Sequence, residues 1–485
     1  MYFDLHEMQF ADAALGGERL AVAGSDRSLD WNALRAEAQC WAQRAQDLGL
    51  GPDVPIVLSG HKQAAFFVAM TACLMLGAPF VPVDTIYPEE RRRCIAELVG
   101  APLLYHADTH EFERTGHAAA PLAEKGLAYV LFTSGSTGEP KGVQIGRESV
   151  RLLAQWMQSS FRLGATPVFM NQAPFSFDLS MFEVFGTLSS GGACVLNSRE
   201  QIQDPAWLRR LAQERISCWV STPSFAHQQL LNKEFSAAGL PSLDTFLFCG
   251  EVLPHSLCKR LKQRFAQARI LNTYGPTEAT VATTLIEVDQ AELDAHPVLP
   301  VGYAKPDCEI EIHDDEICIA GDHVMRGYLN RPELNQARMF RHPNGRRGLR
   351  TGDLGRLDAD GLLWCLGRRD DQIKLNGYRI ELSEISLALQ ALDEVKNAIC
   401  LALRRPDNTV ARLIGFVELV RGGHASEQEA ASAWMPYPAA SWKPALERRL
   451  PSYMLPSEIV VVDSFPMSVN HKIDGKALLE GYLKK

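Results

Sequence analysis

Between Phe132 and Gly142 the chain reads Phe-Thr-Ser-Gly-Ser-Thr-Gly-Glu-Pro-Lys-Gly, directly after the apolar run Leu127–Leu131. A strand that runs into a loop of glycines and small hydroxyl residues can wrap backbone N–H groups around phosphate oxygens. Gly135, Gly138 and Gly142 allow the tight turns. Thr133, Ser134, Ser136 and Thr137 add hydroxyl donors, and Lys141 adds a positive charge. The spacing is not that of a Walker loop, in which Gly-Lys-Ser/Thr follows five residues after the first glycine; here Pro140 intervenes. No G-x-S-x-G nucleophile elbow occurs in it either. The chemistry these residues suit is the holding of phosphate.

The string resembles the phosphate loop of the adenylate-forming (ANL) superfamily, which includes acyl-CoA synthetases, luciferases and the amino-acid-adenylating domains of peptide synthetases. Further segments match that family in order. Asn272-Thr-Tyr-Gly-Pro-Thr-Glu278 resembles its adenine and magnesium segment, and Thr351-Gly-Asp353 its ribose-binding turn. Gly367 to Arg379 resembles its hinge and the loop beyond, and Asn470-His-Lys-Ile-Asp474 its catalytic-lysine motif. Gly77-Ala-Pro-Phe-Val-Pro-Val-Asp84 also fits. The resemblance implies that Thr133, Ser134, Gly135, Thr137 and Lys141 bind phosphate, and that Glu278 holds Mg2+. Asn272, Tyr274, Gly275 and Thr277 would form the adenine segment, with Tyr274 stacked on the base. Asp353 would accept bonds from both ribose hydroxyls, with Arg368 nearby. Lys472 would reach the α-phosphate and the substrate carboxylate. Attack of a carboxylate on that phosphorus is a crowded anionic step, so positioning and charge neutralisation are what the protein must supply. One departure is His471, where the family usually has glycine before the lysine. Another is the short connection Ile312–Gly321, read as a trimmed hairpin distant from the chemistry.

The segment Ala173-Pro-Phe-Ser-Phe-Asp-Leu-Ser180 carries Asp178. In amino-acid-activating members the aspartate at this place pairs with the substrate's α-ammonium group. A buried cation needs such a partner, since leaving it unpaired costs roughly 3–5 kcal/mol. Asp178 also reads as an N-cap before a helix Leu179–Gly186, a role compatible with binding. The other positions that match the family's pocket are Leu179, Phe182, Ser224, Leu247, Cys249, Thr273, Val281 and Ala282. None is charged, so a small apolar acid is expected. Ser221–Phe225, Phe246–Pro254 and Asn272–Ala282 resemble D-alanine–carrier-protein ligases in particular, which implies D-alanine as substrate and Cys249 as a pocket wall near its Cα. Other small amino acids (L-alanine, glycine, L-serine, L-proline) in natural-product pathways, and an acyl-CoA synthetase, are the alternatives. No carrier domain follows Lys472 in this sequence, so the acceptor thiol is expected in trans, on a phosphopantetheinylated carrier protein. Asp370 would be the hinge between the two half-reactions and Gly377 would line the acceptor tunnel.

These residues need elements to position them. Strand-like Pro55–Ser59, Phe80–Val83, Cys218–Ser221, Thr245–Cys249 and Ala268–Asn272 alternate with helical His61–Leu76, Pro205–Glu214 and Ser256–Ala266. Such alternation predicts an α/β fold with largely parallel sheets. After Asp353 the pattern changes to short strands (Leu362–Leu366, Gln372–Leu375, then Ala398–Ala402 and Arg412–Leu419) around a helix Ser383–Leu392. We therefore expect a large domain, residues 1–369, and a small mobile α+β lid, residues 370–485. Gly422–Ala440 reads as a surface loop. The 485 residues, 22% charged with a formal net charge of −9, offer no basic stripe for nucleic acid. The clusters Arg91–Arg93 and Arg346–Arg350 read as solvated faces. Twenty uncharged residues, Ala64–Val83, are interrupted by Gly77, Pro79 and Pro82, which argues for a buried helix and strand rather than a membrane span. Eleven cysteines without a C-x-x-C pair predict free thiols and a cytoplasmic protein.

Overall fold

The computed structural model describes residues 2–11, 17–135, 139–405, 409–420, 434–466 and 473–484. They form two compact units. The first comprises Met1–Thr85, Ala96–Phe132 and Gly142–Arg369, and the second Ile86–Ile95, Thr133–Lys141 and Asp370–Lys485.

The first unit is built on sheets rich in parallel strands, as α/β alternation requires. In one of them Ile56–Gly60 lies between Phe80–Asp84 and Leu103–His106, parallel to both. The uncharged stretch resolves into the buried helix Ala64–Leu76 and the buried strand Phe80–Asp84. Among the described residues no helix is long and apolar enough to cross a membrane. In the largest sheet Ala193–Leu196, Val168–Asn171, Cys218–Ser221, Thr245–Phe248 and Arg269–Tyr274 lie side by side and parallel. Both faces of that sheet are covered. Cys218, Val220, Leu247 and Leu271 enter one core, while Trp219, Phe246, Phe248 and Ile270 enter a second. Alternate residues of one strand thus serve two cores, which is why these strands read as continuous apolar runs.

A third, antiparallel sheet carries the long strand Arg347–Leu357 between Glu316–Ala320 and Leu363–Arg368. Its hairpin Glu309–His313/Glu316–Ala320 turns through Asp314 and Asp315, both at positive φ. This is the trimmed connection expected over Ile312–Gly321, but it is not distant from the candidate site. Glu316 and Ile317 bond to the Thr351–Asp353 turn, because the neighbouring strand brings that turn alongside.

In the second unit Gln372–Leu375 and Tyr378–Glu381 form a hairpin, followed by the helix Leu382–Gln390. Val395–Arg404, Val410–Leu419, Glu458–Val461 and Met435–Pro436 make a four-stranded sheet. The last of these, and the helix Ala439–Glu447, replace the end of the expected loop Gly422–Ala440; residues 421–433 lie outside the described residues. Arg91 corrects the solvated-face reading. Its guanidinium is buried and donates to Glu384 Oε1 at 2.6 Å. Arg347 likewise commits its donors, to Glu148, Asp322 O and Val324 O. All eleven cysteines are free thiols.

Candidate active site

The register of the largest sheet gathers the expected site residues. Ser221, Phe248 and Asn272 are cross-strand neighbours; Ser221, Phe248 and Asn171 end their strands, and Asn272 lies two residues before the end of Arg269–Tyr274. The residues at and beyond those ends therefore emerge along one edge: the segment with Asp178 after Asn171, Ser224 after Ser221, Cys249 after Phe248, and Thr273 and Tyr274 with Gly275 after them. The carboxyl edge of a parallel sheet is where α/β folds place ligands, because the loops there are free to vary while the strands stay rigid.

Among the residues expected at the nucleotide, Tyr274 donates from its hydroxyl to Asp353 Oδ2 at 2.6 Å, and Arg368 Nη1 donates to Asp353 Oδ1 at 3.0 Å. Burial, reinforced by the Asp353 carboxylate, raises the Tyr274 phenol well above its ordinary pKa, so it stays a donor. Arg368 also binds Thr351 O at 3.1 Å. The turn is held from behind. Thr351 Oγ1 donates to Ile317 O at 2.7 Å, and Gly352 N donates to Glu316 Oε1 at 2.7 Å. Asn272 Nδ2 donates to Pro300 O at 2.8 Å, which ties its amide to the scaffold. Gly275 is obligatory: a Cβ there would lie 2.5 Å from Ala282 Cα and 2.9 Å from Thr283 N. Thr277 and Glu278 sit in the short 3-10 helix Thr277–Ala279, both buried. Glu278 Oε1 accepts from Tyr328 at 2.7 Å.

Of the residues expected at the acid, Asp178 is 8% exposed, Leu179, Phe182, Leu247, Cys249, Thr273, Val281 and Ala282 are buried, and Ser224 is half-buried. The helix that follows Asp178 runs Ser180–Ser190 with Leu179 at its cap position, so the side chain that begins it is not an aspartate as the N-cap reading held. Asp178 contributes its backbone carbonyl, which accepts from Met181 N at 2.9 Å. Cys249 Sγ lies 3.7 Å from Val281 O, tying two pocket positions together. Thr280 and Val281 both have positive φ, 59° and 68°. β-branched residues rarely adopt that region, and such strain gathers where backbone must be aimed at a ligand.

In the second unit, Gly135 passes so close to Glu139 that a Cβ would lie 2.0 Å from its carbonyl oxygen. Ser134 Oγ donates to Arg379 O at 2.8 Å, and Lys141 Nζ pairs with Glu381 Oε1 at 3.0 Å. Thr133 Oγ1 is buried and meets no hydrogen-bond partner among the described residues. Asp370 Oδ1 accepts from Gln372 N at 3.3 Å. Gly377 and Asn376 have positive φ and turn the hairpin. Thr137, His471 and Lys472 lie outside the described residues.

Several residues at this edge were not legible in sequence. Tyr129 is buried beneath it, and after burial itself the Asp178 charge helps to raise its phenol pKa. Lys305 is buried with Nζ 3.1 Å from Ala282 O, its ammonium pushed down to about 7 by burial. Lys62, Asn171 and Glu183 form a polar chain behind Ala173. An isolated lysine or glutamate inside an apolar run carries no motif; only the contact reveals it.

A family model described as AMP-binding enzyme matches residues 10–329. The D-alanine–D-alanyl carrier protein ligase of Bacillus licheniformis is 36% identical over 495 aligned residues, which cover 96% of this chain and 96% of that protein. A counterpart from Bacillus cereus is 39% identical, with coverages of 95% and 96%. Among solved structures, the Vibrio cholerae adenylation domain AlmE in complex with glycyl-adenosine-5'-phosphate gives a TM-score of 0.82 at 20% identity, over 99% of this chain and 97% of that one. At that identity the likeness is one of fold. IdnL1 gives 0.75 at 27% identity, over 92% and 96%. With about two thirds of its length matched by the family model and near-complete relatives well above 30% identity, the chain belongs to the AMP-binding enzyme family, of the adenylate-forming fold.

Proposed function

We propose that the protein activates D-alanine with ATP and passes the aminoacyl group to the phosphopantetheine thiol of a separate carrier protein. The observation that carries this reading is one buried carboxylate, Asp178, among pocket positions that are otherwise uncharged. A small apolar amino acid brings an ammonium group that the Asp178 carboxylate can meet and a side chain with no charge to bury. The full-length likeness to ligases named for D-alanine supports the choice within that class.

In the first half-reaction a carboxylate oxygen of the amino acid bonds to the α-phosphorus, the bond to the bridging oxygen breaks, and pyrophosphate leaves. Asp178 orients the ammonium group. Asp353, set by Tyr274 and Arg368, receives the ribose hydroxyls, and the Ser134–Lys141 loop receives phosphate oxygens. Lys472 brings positive charge to the α-phosphate and the substrate carboxylate. Magnesium typically takes one or two protein carboxylates with phosphate and water. Glu278, buried and oriented by Tyr328, suits that role, and the ion would neutralise charge on the phosphates. In the second half-reaction the carrier's thiol sulfur bonds to the acyl carbon and AMP leaves. Residues 370–485 would act as the mobile lid, with Asp370 as hinge and Gly377 at the acceptor path. The free cysteines suit action in the cytoplasm.

ATP–pyrophosphate exchange with D-alanine, L-alanine, glycine, L-serine, L-proline and a short fatty acid tests the reading. Exchange with D-alanine well above the rest is expected. Preference for another amino acid would keep the reaction class and overturn the substrate. Exchange with only the fatty acid would overturn the role of Asp178.

A further inference from the structure

Lys62 is fully buried in the first unit. Its ammonium donates to Asn171 Oδ1 at 2.5 Å and to Ala173 O, and lies 4.6 Å from the centre of the Phe175 ring. Asn171 Nδ2 in turn donates to Glu183 Oε1 at 3.0 Å and to Ala173 O at 3.4 Å. The result is an amine and a carboxyl group joined through one amide, all inside the core. Burial pushes the ammonium down to about 8 and the carboxylate up to about 8. Apolar residues of similar volume would hold such a core at no less stability, so a relay of this kind suggests a geometric task.

Its anchor points indicate the task. Asn171 ends a strand and Ala173 begins the segment that carries Asp178; Glu183 lies in the helix that the segment enters. Between them the backbone folds on itself, with Phe177 N bonded to Pro174 O at 2.9 Å and Ser180 N to Phe177 O at 3.1 Å. Both ends of this short strap are therefore held by the same buried relay, and Asp178 sits at its exit.

We propose that Lys62, acting through Ala173, Asn171 and Glu183, is a positioning residue for amino-acid recognition, holding the strap so that the Asp178 carboxylate meets the substrate's α-ammonium group. The inference rests on the role given to Asp178 above.

The test compares full-length Lys62→Met and Asp178→Asn with the parent enzyme by ATP–pyrophosphate exchange. The KM for D-alanine, the KM for ATP and inhibition by propionate, an acid of the same carbon skeleton without the ammonium group, are measured. A misplaced carboxylate should raise the KM for D-alanine roughly tenfold or more in Lys62→Met. The KM for ATP and inhibition by propionate should stay close to the parent's. If Lys62→Met does not fold, Lys62→Met/Glu183→Gln removes both buried titratable groups, and the same selective rise is expected there. An unchanged KM for D-alanine, or a joint loss of D-alanine, ATP and propionate binding, overturns the proposal. If Asp178→Asn weakens D-alanine but the Lys62 variants do not, the inference alone fails. If Asp178→Asn leaves D-alanine unaffected, the ammonium assignment falls and takes the inference with it.

Discussion

In the proposed reading Tyr274 serves two needs through one side chain, a ring for adenine and a hydroxyl for Asp353. Tyr274→Phe keeps the ring and removes the donor. A hydrogen bond to a charged group contributes about 1.5–3 kcal/mol, so the KM for ATP should rise roughly tenfold or more. The KM for D-alanine should change little, and exchange kinetics at varied ATP check both. Residues of this kind were partly legible. Tyr274, Glu278 and Asp353 stand in recognisable strings, but the bond between Tyr274 and Asp353 spans 79 residues and no string records it. Arg91 was misread for a related reason. A run of three arginines resembles a solvated face, and only the Glu384 carboxylate brought against it makes burial tolerable for one of them.

At the scale of elements, the site depends on parallel strands ending in register. Phe248 and Asn272 are paired, so Cys249 leaves the sheet beside Thr273, whose Oγ1 donates to Phe248 O at 2.8 Å. The chain then returns into the antiparallel strand Thr284–Glu287, and Ala282, just before it, comes back against Gly275. Gly275→Ala would drive a Cβ into main chain on that return, which cannot retreat as a flexible side-chain tip would. Overpacking of this kind costs typically about 1–3 kcal/mol. A lower melting temperature, with the KM values for ATP and D-alanine rising together, is the expected outcome; scanning calorimetry and exchange kinetics read it. Cys218–Ser221, Thr245–Phe248 and most of Arg269–Tyr274 were legible because both faces of this sheet are apolar, whereas Val168–Asn171 and Ala193–Leu196 beside them were not read. Less legible was the hairpin strand Tyr378–Glu381, a four-residue strand that takes its conformation from pairing with Gln372–Leu375 across the Asn376-Gly377 turn.

For the whole molecule, two half-reactions must share one set of bound atoms, and the chain offers two units with which to do it. In the reading proposed above, Lys472 serves the first half-reaction only. Lys472→Ala should abolish adenylate formation, with a loss of about 10²–10³ or more in exchange rate. Transfer of the aminoacyl group from supplied adenylate to a carrier should survive. Single-turnover transfer assays separate the two, and equal loss of both would refute the division of labour.

Sequence by itself determined the reaction class and the α/β architecture. Phosphate binding, buried parallel strands and an anionic partner for an ammonium group are local demands, met by residues close to one another in the chain. The tertiary structure alone decided which groups orient those residues. Glu316 supports Gly352, Tyr328 orients Glu278, Lys305 holds Ala282, and Lys62 reaches the segment of Asp178. Each is a single polar group whose burial is tolerable only because a partner distant in the chain satisfies it. That satisfaction is a property of packing, which periodicity and motif do not encode.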